Sequence, residues 1–262
     1  MPKNRAVSGG VCLSVVSHGQ AAILRGLLDD LVLLGPPSLE RLIITCNTPE
    51  RIELPSSPSF VIEVLNNRVP QGFGRNHNAA FEHCKEPYFA VGNPDIRLKE
   101  DPFPVLLAAL RAGSVVSAPA VVDPGGRLED SARRLLTPLD VLLRRLGRTR
   151  AEYGSPAWLA GMFLMFRSDK FRELRGFDEK FFMYCEDADI CARAVLAGGG
   201  ISFCPQATVV HDARRASRRS LRALRWHVSS LLKFWLSPAF WSYRRYLRSD
   251  KVRPTIFRSD SQ

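Results

Sequence analysis

The sequence predicts an α/β protein built on a mostly parallel sheet flanked by helices. Three observations lead there. Short, nearly continuous apolar runs, as in buried parallel strands, alternate with helical spacing through the first hundred residues. Polar turns with chemical potential, Ser17-His18-Gly19-Gln20 and Asn93-Pro94-Asp95, follow such runs directly. Ligands of open α/β sheets sit at the carboxyl ends of the strands. Finally, most of the charge lies in one C-terminal segment: residues 205–262 hold 13 Lys and Arg against three acids, +10 of the chain's +11.

In order along the chain, Val11–Val16 reads as a first buried strand and Ala21–Leu34 as a helix. Leu42–Cys46 and Phe60–Leu65 are the next strands. Gly72-Phe73-Gly74 opens a helix running to about Cys84, and Tyr88–Val91 is a fourth strand ended by Gly92-Asn93-Pro94-Asp95. Strands alternating with helices imply right-handed crossovers. Ser114–Ala118 is a further strand. Arg133–Arg148, leucine-rich and basic, is expected to be a loop plus a helix, and Trp158–Phe166 one apolar strand. A helix starting at Glu186 or Asp187 stops at Gly198-Gly199-Gly200. Ile201–Cys204 and Ala207–Val210 are two short strands leading to His211.

The 262 residues hold six cysteines without a CxxC pair or zinc-type spacing, read as reduced thiols packed as small hydrophobes, which fits the cytosol. The N-terminal apolar run is too short for a signal peptide, and no run of 18 apolar residues exists to span a membrane.

Two groups of residues carry chemistry. Residues 176–189 hold five acids, Asp178, Glu179, Glu186, Asp187 and Asp189, among aromatic and small side chains. Unpaired carboxylates beside apolar surface are costly, so such a cluster points to a cleft where a proton, metal or hydroxyl is handled. First-turn carboxylates opposing a helix dipole would also explain Glu186, Asp187 and Asp189. The second group is Asp95, held past a strand by Pro94, with the distant His211. Hard cations take oxygen ligands and bridge phosphates, and manganese accepts imidazole as well. An Asn-Pro-Asp turn and a lone histidine are each more often structural.

These motifs occur in the order found in one family. Val16-Ser17-His18-Gly19, Gly72-Phe73-Gly74-Arg75-Asn76-His77-Asn78, Asn93-Pro94-Asp95, Gly161, Gly176-Phe177-Asp178 leading to Glu186-Asp187-Ala188-Asp189, and His211 together resemble the GT-A glycosyltransferases of family 2. The likeness, strongest to bacterial rhamnosyltransferases of O-antigen and cell-wall assembly, covers residues 10–250. It implies a GT-A, Rossmann-like catalytic domain over residues 1–212 with a basic helical extension over 213–262. It implies an inverting, metal-dependent hexosyltransferase using Mg²⁺ or Mn²⁺. The donor would be dTDP-L-rhamnose, the acceptor GlcNAc-diphospho-polyprenol, and the location the inner face of the cytoplasmic membrane. By the same resemblance Asp95 and His211 hold the metal and Asp187, paired with Glu186, is the general base. Ser17, His18, Gly19, Asn47, Gly72, Gly74, Asn78, Asn93 and Asp95 bind the nucleotide sugar, and Trp158, Gly161 and Asp189 the acceptor. One departure stands out: the family commonly has an aspartate after the second strand, and this chain has Asn47, which hydrogen-bonds without charge.

The tail suits a helix capped by Ser217, with Leu221, Leu224, Val228, Leu231 and Trp235 on one apolar stripe. Such a helix packs on the body with its basic face solvated, or rests through residues 214–253 on an anionic membrane surface. Nucleic acid is not expected as a partner: the charge is confined to the tail and no recognised nucleic-acid motif occurs. The glycine-rich, lysine-bearing N-terminal loop of a nucleotidyltransferase is also missing.

Overall fold

In the computed structural model, which describes residues 9–135, 137–138, 156–211, 221–249 and 255–256, strand β1 (Val11–Ser17) lies inside the N-terminal, parallel part of the sheet. It pairs in parallel with β2 (Leu39–Cys46) and β4 (Tyr88–Gly92), and β2 pairs in parallel with β3 (Val61–Asn66). Helix α1 (Ala21–Leu34) makes the first crossover and ends at Gly35, whose left-handed φ of 51° lets its N–H reach the Leu31 carbonyl at 3.0 Å. Helix α2 (Phe73–Phe81) makes the crossover into β4.

Beyond β4 come β5 (Ile96–Arg97), α3 (Phe103–Arg111), β6 (Ser114–Val122) and a small ribbon of β7 (Ala132–Arg133) with β8 (Trp158–Leu159). Then follow β9 (Phe163–Arg167), α4 (Ser168–Glu173), α5 (Glu186–Leu196), β10 (Gly200–His211), α6 (Leu221–Trp235), α7 (Pro238–Arg248) and β11 (Thr255–Ile256). The sheet runs β11-β10-β6-β9-β4-β1-β2-β3, with β5 on the end of β10. All pairings are parallel except those of β9 with β4 and β6, and of β5 with β10.

Period-two alternation along β1 feeds two cores. Val11, Leu13 and Val15 pack with α1 and α3 through Leu24, Leu27 and Leu106. Cys12 faces the other layer, where Phe81, Phe89, Phe166, Phe171 and Phe177 interlock at centroid spacings of 4.7–5.9 Å. Tyr243 of α7 belongs to this second core and is fully buried.

Three expectations are corrected. The run Trp158–Phe166 is not one strand. It breaks at Ala160-Gly161-Met162, because the Gly161 N–H turns to Asp187 and the Met162 carbonyl accepts the Asn93 N–H. The two short strands before His211 are one, β10, with an irregularity between Cys204 and Thr208; Pro205 lies there and has no N–H for the ladder. The tail helix does not bury the expected stripe. Leu224 and Val228 are 54% and 46% exposed, while Ser230 and Phe234 face inward. Ser217 and most of Arg133–Arg148 lie outside the described residues.

The tail is nonetheless built into the body of the fold. The Tyr243 hydroxyl donates to the Ala157 carbonyl at 2.5 Å, and Phe234 and Phe240 bury against Phe181 and Ala188. Tyr243→Phe would leave that carbonyl without its partner. It is expected to lower stability by about 1–2 kcal/mol, read from the denaturant midpoint.

Candidate active site

A cleft of about 1010 Å³ opens at the carboxyl ends of β1 and β4, between the start of α2 and the inner side of α6. Its floor is the turn after β4. Asp95 there is buried apart from a fifth of its side chain. Its Oδ1 is shut away from solvent with no hydrogen-bond partner, and its Oδ2 lies 3.3 Å from His211 Nε2. His211 arrives on β10, antiparallel to β5, in register with Ile96 beside Asp95. Its Nδ1 is 3.0 Å from Glu129. Burial draws the His211 pKa down, but Asp95 and Glu129 outweigh it and raise it. An orphaned carboxylate oxygen beside an imidazole that a second carboxylate orients suits a divalent cation of the Mg²⁺ or Mn²⁺ kind. Asp95 and His211 would hold such an ion, with Glu129 behind.

The opposite side is built by a strained turn. Tyr184 and Cys185 have φ of 72° and 68°, values L-residues rarely adopt, at a cost of about 1–3 kcal/mol each. The turn is held by α6: Ser230 Oγ donates to the Met183 carbonyl at 2.8 Å and Lys233 to the Lys180 carbonyl at 2.8 Å. Trp226 packs on Phe182 and His227 on Tyr184. It delivers Glu186 and Asp187 into the first turn of α5. Asp187 accepts the Gly161 N–H at 2.9 Å and the Ala188 N–H at 2.8 Å. Burial raises its pKa, partly offset by these two donors and by Arg133. Glu186 is buried, one of its oxygens has no partner, and burial and the Asp187 charge push its pKa well up. Two adjacent carboxylates in unlike surroundings can divide their tasks: burial beside Asp187 favours the proton on Glu186, while two N–H donors and Arg133 favour the charge on Asp187.

The two sides are joined through four residues. Asn93 N–H donates to Met162 O at 3.0 Å, and the neighbouring Gly161 N–H binds Asp187. Asp95 and Asp187 therefore sit at either end of one backbone bridge. Elsewhere, a hollow of about 590 Å³ is lined by Glu86 and Asp169. Arginines occupy both, Arg41 on Glu86 and Arg167 on Asp169, and Lys85 N–H takes the second Glu86 oxygen. Cys12, Cys84 and Glu86, a possible metal-ligand cluster, lose their carboxylate to the same contacts.

No protein-family model matches the chain. It is similar to rhamnosyltransferase WbbL of Escherichia coli K12, 26% identical over 92% of this chain and 98% of that one. An N-acetylglucosaminyl-diphospho-decaprenol L-rhamnosyltransferase of Mycobacterium tuberculosis is 27% identical over 73% of this chain and 71% of its own length. Among solved structures, GalNAc-T7 with UDP, GalNAc and Mn²⁺ superposes with a TM-score of 0.63 at 16% identity, over 91% of this chain and 51% of that one. Mannosyltransferase PcManGT of Pyrobaculum calidifontis with GDP-Man and Mn²⁺ gives 0.52 at 14% identity, over 82% of this chain and 59% of that one. The chain thus spans little more than half of each structural relative. The chain is a glycosyltransferase of the GT-A fold.

The glycosyltransferase places His18, Asn47, Asn93 and Asp95 around the cleft. Ser17 lies beneath it, where its Oγ accepts the Gln20 N–H and shapes the turn; Gly19, at φ 70°, completes that turn and binds Glu50. Asn47 spends its amide on Gln71, accepting its N–H at 2.7 Å and donating to its carbonyl at 3.0 Å.

Four assignments are corrected. Gly72 and Gly74 serve close packing rather than nucleotide contact: a Cβ would lie 2.6 Å from the Phe182 carbonyl or 2.7 Å from Phe177 Cβ. Asn78 does not reach the cleft; it clamps both backbone groups of Phe177 at 2.9 Å. Asp189 is not available to an acceptor. It is buried against Arg193 at 2.7 Å, which also donates to the Leu174 and Gly176 carbonyls. The acidic cluster thus held one latch among its apparent catalytic groups. Gly161 reaches Asp187 through a direct hydrogen bond, and Trp158 lies three residues before Gly161, on β8. Sequence reasoning missed Glu129, Gln71, Phe73 and His77. His77 is fully buried against Ser14 at 2.8 Å, and burial takes its pKa down to about 3, so it is neutral.

Proposed function

We propose that this glycosyltransferase moves L-rhamnose from dTDP-L-rhamnose, with inversion, onto GlcNAc-diphospho-polyprenol during O-antigen or related surface-polysaccharide assembly at the cytoplasmic membrane. The observation that carries the chemistry is the backbone bridge: Asp95 lies in the cleft beside His211, and Asp187 stands behind it, joined through Asn93 and Gly161-Met162. The names of the two rhamnosyltransferase relatives support the rhamnosyl group, and that of the mycobacterial one supports a GlcNAc-diphosphate lipid as acceptor.

The acceptor hydroxyl is a weak nucleophile. Asp187 takes its proton as the oxygen bonds to the anomeric carbon, and the bond from that carbon to the nucleotide diphosphate breaks. Two backbone N–H groups hold the Asp187 carboxylate in place for the transfer. A divalent ion, when bound, offsets the charge gathering on the leaving diphosphate. Neutral Glu186 is no nucleophile, which favours single displacement over a covalent intermediate. The test is a panel of nucleotide sugars, with and without Mn²⁺ or Mg²⁺, on GlcNAc-diphosphate lipid. Product with dTDP-L-rhamnose and an inverted anomer is expected; no transfer from it under any condition overturns the reading.

A second reading keeps the reaction and changes the donor. The engaged, uncharged Asn47 motivates it, and the same panel decides between the two.

The membrane surface is supported by α6 and α7. Leu224, Val228, Leu232 and Leu236, at intervals of four, and Trp241 are 46–81% exposed. Residues 221–249 contain six Lys and Arg and no acid. Exposed apolar side chains on helices rich in basic residues fit an anionic bilayer better than nucleic acid. No described helix is long and apolar enough to cross a membrane. Changing Leu232 and Leu236 together to Glu is expected to weaken co-flotation with anionic vesicles at least about tenfold, leaving turnover of a soluble acceptor within about twofold.

A further inference from the structure

The acceptor reading leaves one question about its lipid end: what holds the diphosphate. We propose that Arg133, seated on Trp158 beside the base, binds the diphosphate joining the acceptor sugar to its lipid. This rests on the acceptor being diphosphate-linked, as proposed above.

Arg133 is held as a recognition residue is held. It pairs with Trp158 across the β7–β8 ribbon, and its carbonyl accepts the Ala157 N–H at 2.7 Å. Two residues earlier in the chain, the Ser131 carbonyl accepts the Ala160 N–H at 2.7 Å and ties the same ribbon. The guanidinium carbon lies 5.1 Å from the Trp158 ring centroid, so the planar group rests on an aromatic face. Nε donates to the Asp130 carbonyl at 2.6 Å. Among the described residues the two terminal nitrogens have no hydrogen-bond partner. The ion-pair partner, Asp130 at 3.4 Å, is 72% exposed, a contact that solvent screens heavily. The side chain is still 40% exposed, within reach of a ligand.

Its position matches the acceptor. Trp158 leads within three residues to Gly161, whose N–H binds Asp187, and the Arg133 charge is felt at both Asp187 and His227. The attacking hydroxyl must stand at Asp187. In a sugar diphosphate lipid, the first phosphate hangs from the same ring, one ring's breadth from that hydroxyl. A guanidinium fork matches phosphate oxygens in pairs, which an ammonium does not.

A competing role is that Arg133 only keeps Asp187 ionised. Two acceptors of equal chain length separate the roles: GlcNAc-diphosphate on a short alkyl chain, and the neutral alkyl GlcNAc glycoside. For Arg133→Ala, the kcat/KM preference for the diphosphate acceptor over the neutral one is expected to fall about 10- to 100-fold, with Arg133→Lys between. Equal loss on both acceptors, with the acidic limb of the pH profile moved up, would assign Arg133 to the base alone and overturn the proposal. An unchanged preference would overturn it too. If the wild-type protein uses neither acceptor, the acceptor reading fails. Calorimetric binding of an alkyl diphosphate, weakened in Arg133→Ala, still measures the phosphate site on its own.

Discussion

Asp187→Asn is expected to lower sugar transfer about 10²–10⁴-fold, the range for removing a positioned general base, with the fold unchanged. An amide keeps the shape and can still accept the Gly161 N–H, but cannot take the acceptor proton. Donor binding should survive, because Asp187 does not line the nucleotide cleft and belongs to α5. The pH profile supplies a second readout. Burial raises the Asp187 pKa despite its backbone donors and Arg133. The base works ionised, so activity is full above that pKa and falls tenfold per unit below it. The acidic limb of kcat/KM is therefore expected above the ordinary carboxylate range, and to vanish in Asp187→Asn.

Asp95→Asn is the second large effect. Asp95 is the cleft carboxylate with a buried, unpartnered oxygen, and an amide there has one fewer charge to offer a cation. Loss of divalent-dependent transfer by about two orders of magnitude or more is expected, from the several kcal/mol such an ion supplies. Titration with Mn²⁺ should show the half-saturating concentration rising. Glu129→Gln, one step behind His211, should move the same titration less, about 10- to 100-fold in metal affinity.

The parts of this molecule that follow local rules were legible in the sequence. Alternating buried strands and helices predicted the sheet, and the turns at Ser17 and Asp95 fell at its carboxyl edge because strand polarity puts them there. What stayed hidden is tertiary. Nothing local marks Glu129 as the partner of His211, 82 positions away. Nor does the string Glu186-Asp187-Ala188-Asp189 reveal that Asp189 turns inward to Arg193 while Asp187 turns to Gly161: at helical spacing, two positions apart is nearly the opposite face. The tail was ambiguous for a related reason. Its apolar residues recur at three and four, which left open a face packed on the body or one laid on a membrane surface. In the fold, Ser230, Lys233 and Trp226 dock on the carbonyls and rings of the strained turn and rotate the leucines outward. Gly72 and Gly74, assigned to the nucleotide sugar by the resemblance, are points of close contact with Phe182 and Phe177.

Asp95 and Asp187 have separable duties at the two ends of one backbone bridge, and calorimetry of dTDP binding with Mn²⁺, run beside the transfer assay on both variants, examines that separation most directly. Asp187→Asn should bind the nucleotide within about twofold of wild type while transfer falls at least about a hundredfold, and Asp95→Asn should lose the Mn²⁺-dependent part of binding. Wild-type transfer by Asp187→Asn, or the same loss of nucleotide binding in both variants, would contradict it.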